Sequence, residues 1–189
     1  MKVQSLAVVG ASMVVAVVTS VLVNNLGNTK AADAAAAAGP VYAQLSSAMT
    51  QMPKGGPLLV QMESNDALSG LVHSDKEKPA DVVVKSAGVY FVVAAVQVGK
   101  ELGESDEYVD VWIRQNGKDV DNSNCRQQVK DPKFTTVLVC QGIAECKAGD
   151  VFNVAMSSSS PDKGLGAVAV KPKGEPVIPS IIFSMYKIN

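Results

Sequence analysis

"GVYFVVAAVQV", residues 88–98, holds eleven residues without a single charge, and its reading decides the fold. As a strand it places Tyr90, Val92, Ala94 and Val96 on one face and Phe91, Val93 and Ala95 on the other. Both faces are then apolar, and both require cover. In a two-sheet sandwich one face goes to the core. The other needs a neighbour, and another copy of the chain is the expected one.

Seven further runs surround it: "PLLVQM", "ADVVVKS", "YVDVWIR", "FTTVLVC", "DVFNVAM", "LGAVAVK" and "PSIIFSMYKI". Gly, Pro, Asp, Asn and Ser clusters bound each run, and no helical period survives between them. The pattern predicts an all-β domain, a sandwich or a jelly roll, rather than a parallel β/α arrangement. In "YVDVWIR" the alternation is plain. Val109, Val111 and Ile113 take one face, while Tyr108, Asp110, Trp112 and Arg114 take the other. Asn116-Gly117 follows as a tight turn, because both residues tolerate positive φ.

The amino end is different. Residues 6–23, "LAVVGASMVVAVVTSVLV", carry no charge and follow Lys2. As a helix they would rise about 27 Å, close to the hydrocarbon thickness of a bilayer. The expectation is an N-terminal signal anchor or transmembrane helix within residues 1–30, N-terminus inside, with the rest translocated. The run is long for a cleaved signal, but "KAADAAAAAGP" offers cleavage sites, so a secreted product is the alternative. Ser12, Ala16 and Ser20 form a small-residue stripe suited to helix packing in lipid. Residues 31–56 read as an Ala-rich stalk, helical at first, with "VYAQLSSAMTQM" resuming a short helix after Gly39 and Pro40. The β domain is then residues 57–189.

With 189 residues the chain has room for one cored domain plus appendages. Seventeen basic and eighteen acidic residues balance, and no Lys/Arg patch is interleaved with aromatics, which argues against nucleic acid as a partner. Three cysteines, Cys125, Cys140 and Cys146, form no C-x-x-C pair and have no histidine beside them, so zinc is not expected. They are one possible disulfide plus a spare thiol, a bond between chains, or small buried hydrophobes. His73, the one histidine, falls in the polar stretch "HSDKEKPAD" and reads as a loop residue.

In order and spacing, Gly88-x-Tyr90, the Asn116-Gly117 turn, "KAGD" before a Val-rich strand and the closing "SIIFSMYKI" resemble the C1q/tumour-necrosis-factor-like superfamily, especially its bacterial C1q-like members. The resemblance spans about residues 65–188. It implies a ten-strand jelly roll assembled as a homotrimer about a threefold axis. By position it implies Tyr90, Phe183 and Tyr186 at the trimer interface. The collagen-like stalks of many relatives are missing, and an apolar helix with an Ala-rich segment stands in their place.

Chemistry is sparse. No nucleophile elbow, metalloprotease helix, phosphate loop or dinucleotide fingerprint occurs. A Cys-His nucleophile would have to use His73, with no third group to orient it. Among acidic stretches, Asp119 and Asp121 are weak calcium candidates. Read as a calcium hand, however, their segment has Asn124 at the glycine position and Lys130 at the twelfth. The expected function is non-enzymatic and cofactor-free: a trimeric binding or assembly module, membrane-anchored or surface-displayed outside the cytoplasm. The alternative is a structural or accessory subunit of a larger membrane or viral complex, attached through the N-terminal helix.

Overall fold

The computed structural model describes residues 39–189. The anchor, the Ser12/Ala16/Ser20 stripe and the first part of the stalk lie outside the described residues. Among those described, no helix is long and apolar enough to cross a membrane.

Among the described residues thirteen strands follow in chain order. They are β1 (Tyr42–Ser47), β2 (Leu58–Leu59), β3 (Ser64–Ser69), β4 (Leu71–Ser74), β5 (Lys78–Val84), β6 (Gly88–Gly99) and β7 (Glu107–Gln115). After them come β8 (Lys118–Asp119), β9 (Cys125–Val129), β10 (Thr136–Cys146), β11 (Val151–Ser158), β12 (Gly166–Ala167) and β13 (Ile181–Lys187). They form a β-sandwich of two antiparallel sheets. Sheet A has the order β10-β6-β13-β1-β3, with β12 on β6; sheet B runs β4-β5-β11-β7-β8, with β2 on β11 and β9 on β7.

The all-β expectation holds. The reading of residues 41–52 as a short helix does not: Tyr42–Ser47 is a strand paired on one side with β13 and on the other with β3. Its inward residues are Ala43, Leu45 and Ser47, with Leu45 fully buried. Two apolar residues are too few to show a period of two, and pairing from both sides supplies what the local sequence lacks. Much of the stretch assigned to the stalk is thus part of the sandwich. His73 is also misplaced as a loop residue. It lies on β4, buried, with Nδ1 2.7 Å from Asn65 Oδ1 and Nε2 3.2 Å from the Pro79 carbonyl.

The core lies between the sheets and is built from the inward residues of each strand. Tyr90, Val92, Ala94, Val96 and Val98 of β6 meet Val109, Val111 and Ile113 of β7, with Phe152 and Phe183 among them. The Tyr90 hydroxyl donates to the Ser86 carbonyl at 2.8 Å, so a phenol buried in apolar surroundings is not left unpaired. Gly88 is required at the start of β6. Its φ is 154°, and a Cβ there would lie 2.4 Å from the Asn189 carbonyl oxygen. Asn116 (φ 53°) and Gly117 (φ 75°) make the tight hairpin turn between β7 and β8. Asn116 also ties this turn to the one before β11, donating to Asp150 at 2.8 Å and accepting from the Val151 amide at 2.9 Å.

One end of the sandwich is closed by a buried ion network. Lys100 Nζ, fully buried, donates to Glu107 Oε2 at 2.5 Å and to the Ser105 carbonyl at 2.7 Å, while Lys163 reaches Glu107 Oε1 at 2.8 Å. The Lys100 ammonium above all, then Lys163 and the Ser105 hydroxyl, holds the Glu107 carboxyl down to about 2 from an ordinary 4.5. A carboxyl depressed by folding stabilises the fold above its ordinary value, and that contribution disappears as pH falls through its folded value. Stability should therefore drop between about pH 4.5 and 2 more steeply in the natural chain than in Glu107→Gln. Denaturant midpoints at pH 7, 4.5 and 2.5 measure this, and parallel acid limbs for the two chains would count against the linkage.

Candidate interaction surface

The inward half of each alternating strand is spent on the core; the outward half differs sharply between the two sheets. On sheet A the outward residues line up in rows across four strands. Ile143, Phe91, Tyr186 and Tyr42 form the first row, from β10 through β6 and β13 to β1. Gln141, Val93, Ser184 and Gln44 form the second, and Val139, Ala95, Ile182 and Ser46 the third. No residue in the three rows is charged. Two rows that are apolar but for Ser46 flank one that is polar but for Val93.

These residues are open to solvent. Ile143 is 64% exposed, Tyr186 48%, Val139 47% and Ile182 40%. The Phe91 and Tyr186 rings pack at 5.4 Å between centroids, tilted by 54°, a geometry that aromatic pairs favour. At ordinary strand spacings the three rows cover roughly 300–400 Å². That is the size of the largest patch on a typical monomer, which is often a functional one.

Sheet B's outward face is the opposite. Arg126 forks onto both Asp110 oxygens at 2.8 Å and lies 3.6 Å over the Tyr108 ring. Trp112 donates from Nε1 to Asp119 Oδ1 at 2.8 Å, and Arg114 pairs with the same oxygen at 3.0 Å. Asp110, Arg126 and Trp112 find their partners within this face, while Arg114 Nε makes its ion pair without a hydrogen bond. The tryptophan strand is scaffold, and its outward face is charged and self-paired.

Of the residues expected at a trimer interface, the structure keeps one on the outer surface. Tyr186 is in the first row of the sheet A face. Tyr90 and Phe183 are fully buried in the core. They point between the sheets, where no second copy reaches them. The outward residues the sequence reading missed are Tyr42, Val139, Ile143 and Ile182. Phe91 and Val93 share this outward side, on the second apolar face of β6.

The calcium candidates are not brought together. Asp119 Oδ1 is already engaged by Trp112 and Arg114, and Asp121 is exposed in the turn that follows β8. Among the described residues no three His, Cys, Asp or Glu side chains cluster as a metal site. Burial pushes the Cys140 thiol up to about 12, and burial, then the Asp150 charge, pushes Cys146 to about 11. Neither is a thiolate at neutral pH. His73 is hydrogen-bonded to Asn65 and Pro79, which leaves the conceived Cys-His pairing without geometric support. All three cysteines are unbonded in the structure.

A surface cleft of about 420 Å³ lies elsewhere. It lies where β9 turns into β10 and is lined by Gln127, Gln128, Lys130, Asp131, Phe134 and Thr136 among others. Phe134, 69% exposed, stands at this edge of the sandwich, next to the end of the sheet A face.

No protein-family model matches the chain, and no curated protein matches it.

Proposed function

We propose that this chain is a non-enzymatic assembly and binding module of the C1q/tumour-necrosis-factor-like type, a jelly roll that works as a homotrimer outside the cytoplasm. The observation that carries the reading is the block of three charge-free rows on the outer face of sheet A, bordered on β10 by Glu145. A monomer gains nothing by leaving such a face in water, and a second copy offers chemistry that matches it. The strand order supports the jelly-roll assignment. Sheet A pairs the first long strand with the last, and β6, β10, β3 and β12 complete it; the strands of sheet B are interspersed with these along the chain.

A threefold ring needs two different patches on each subunit, because its interfaces are heterologous. The sheet A face is one. The β9–β10 edge with its exposed Phe134 is the other, and docking it on the neighbour's Tyr42 and Tyr186 would cover both. Trimerisation multiplies whatever the free loops bind, through avidity rather than new contacts.

The apolar run at residues 6–23 supports anchorage, with the sandwich held on the far side of the membrane. Alkaline carbonate washing tests this part: the chain should stay with the membrane pellet, and release into the supernatant would contradict a retained anchor. Assembly is tested by lysine cross-linking of the full chain in mild detergent. The ladder should stop at three chains, and a ladder that never passes one would overturn the trimer.

A further inference from the structure

Cys125 and Cys140 are set on opposite sheets, and the strand register places them against each other. On β7, Val111 faces the core, and its partner on β9 is Cys125, so Cys125 faces the core too. On β10, Cys140 is paired with the buried Ala94 and is itself fully buried.

Two contacts fix how β10 lies over β7. The Cβ position of Gly142 is 3.9 Å from Ile113 Cδ1, and Gln115 Nε2 donates to the Glu145 carbonyl at 3.1 Å. Both numbers rise together along the two strands. Stepping back two residues from the first contact therefore sets Cys140 over Val111, beside Cys125. At this edge the sheets converge, because residues 130–135 carry the chain straight from β9 into β10. Residues of the two strands come within 8 Å of each other, Cα to Cα. The field of Cys125 adds to burial in raising the Cys140 thiol, as neighbours would.

The same register excludes Cys146. It is six residues beyond Cys140 on one extended strand, about 20 Å away, whereas a disulfide needs Cα atoms within about 7 Å. Of the three intrachain pairings the cysteines allow, one survives.

We propose that Cys125 and Cys140 form a disulfide that staples the two sheets together, leaving Cys146 as the free thiol. This rests in part on the reading that the sandwich sits outside the cytoplasm, where such bonds persist. The oxidant is a disulfide, such as oxidised glutathione. The Cys125 thiolate, half-buried and the more accessible of the two, attacks it, forming a mixed disulfide and releasing one glutathione thiol. Cys140 then loses its proton and attacks the Cys125 sulfur, releasing the second. Two cysteine thiols are oxidised by two electrons, and one glutathione disulfide is reduced to two thiols.

The purified full chain, incubated with oxidised glutathione and then unfolded, should show one maleimide-reactive thiol where the reduced chain shows three. Peptide mapping should join the segments carrying Cys125 and Cys140. Cys146→Ser should then leave none and Cys125→Ser two, while Cys140→Ser should leave one, with Cys125 held as the unresolved glutathione mixed disulfide. The oxidised form should melt roughly 5–10 °C higher than the reduced form, as expected for closing a loop of this length in a chain of this size. Three reactive thiols after oxidation, or a bridge containing Cys146, would overturn the pairing. A chain that forms the bridge in vitro but carries three thiols when taken from the cells that make it keeps the pairing. That outcome contradicts the location outside the cytoplasm instead.

Discussion

Ile143→Glu should convert the assembly into single chains. Ile143 is the most exposed residue of the first outward row and lies level with Phe91, Tyr186 and Tyr42. In the proposed trimer that row is covered, so the substitution would bury three carboxylates, one per subunit, with no cation in the three rows to receive them. A desolvated, unpaired charge costs several kcal/mol at each interface, enough to lower association by orders of magnitude. The fold itself should barely notice, because an exposed substitution usually changes stability by no more than about 0.5 kcal/mol. The expected pair of results is a native far-ultraviolet dichroism spectrum with the mass of one chain. A mutant that stays trimeric would remove the sheet A face from the account.

Phe183→Ala should do the reverse. Phe183 is the neighbour of Ile182 in sequence but faces the opposite way, fully buried between the sheets. Truncating a buried phenylalanine typically costs about 3–5 kcal/mol, through lost burial and the cavity left behind. For a chain of this length that is a fall in melting temperature of roughly 6–20 °C. If Phe183 instead made its main contact with another subunit, Phe183→Ala would weaken association and leave the isolated subunit as stable as before. The two substitutions, forty residues apart in the chain and on opposite faces of one sheet, separate folding from assembly.

How much of this was legible in the sequence depends on the strand. The long, charge-free β6 announced both a core face and a face in need of cover, and the structure has both. "YVDVWIR" showed its core side at once, because charged residues mark the other side. The Asn116-Gly117 turn needed nothing but its two residues. β1 and β9 were not legible. "YAQLSS" and "CRQQV" have too few apolar residues to reveal a period, and they are strands because their neighbours pair with them.

The interface residues were misjudged for a reason visible in the numbers alone. Phe183 and Tyr186 are three apart, an odd spacing, so a regular strand sends them to opposite faces. Only one of them could have faced a second copy. Which one was settled by register: Tyr186 pairs with Phe91, not with Tyr90, and Phe91 belongs to the outward set of β6. Register depends on where two strands meet, and residues more than ninety apart in the chain do not reveal it locally. The same long-range information selects one cysteine pair out of three, although all three cysteines were plain in the sequence.

Light scattering coupled to size-exclusion chromatography, on the full chain in mild detergent with the detergent mass subtracted, tests the central claim most directly. One chain is 19.7 kDa. The proposed trimer has a protein mass of about 59 kDa, three chains, held across a tenfold dilution in the low micromolar range. A protein mass of about 20 kDa throughout that range would contradict it.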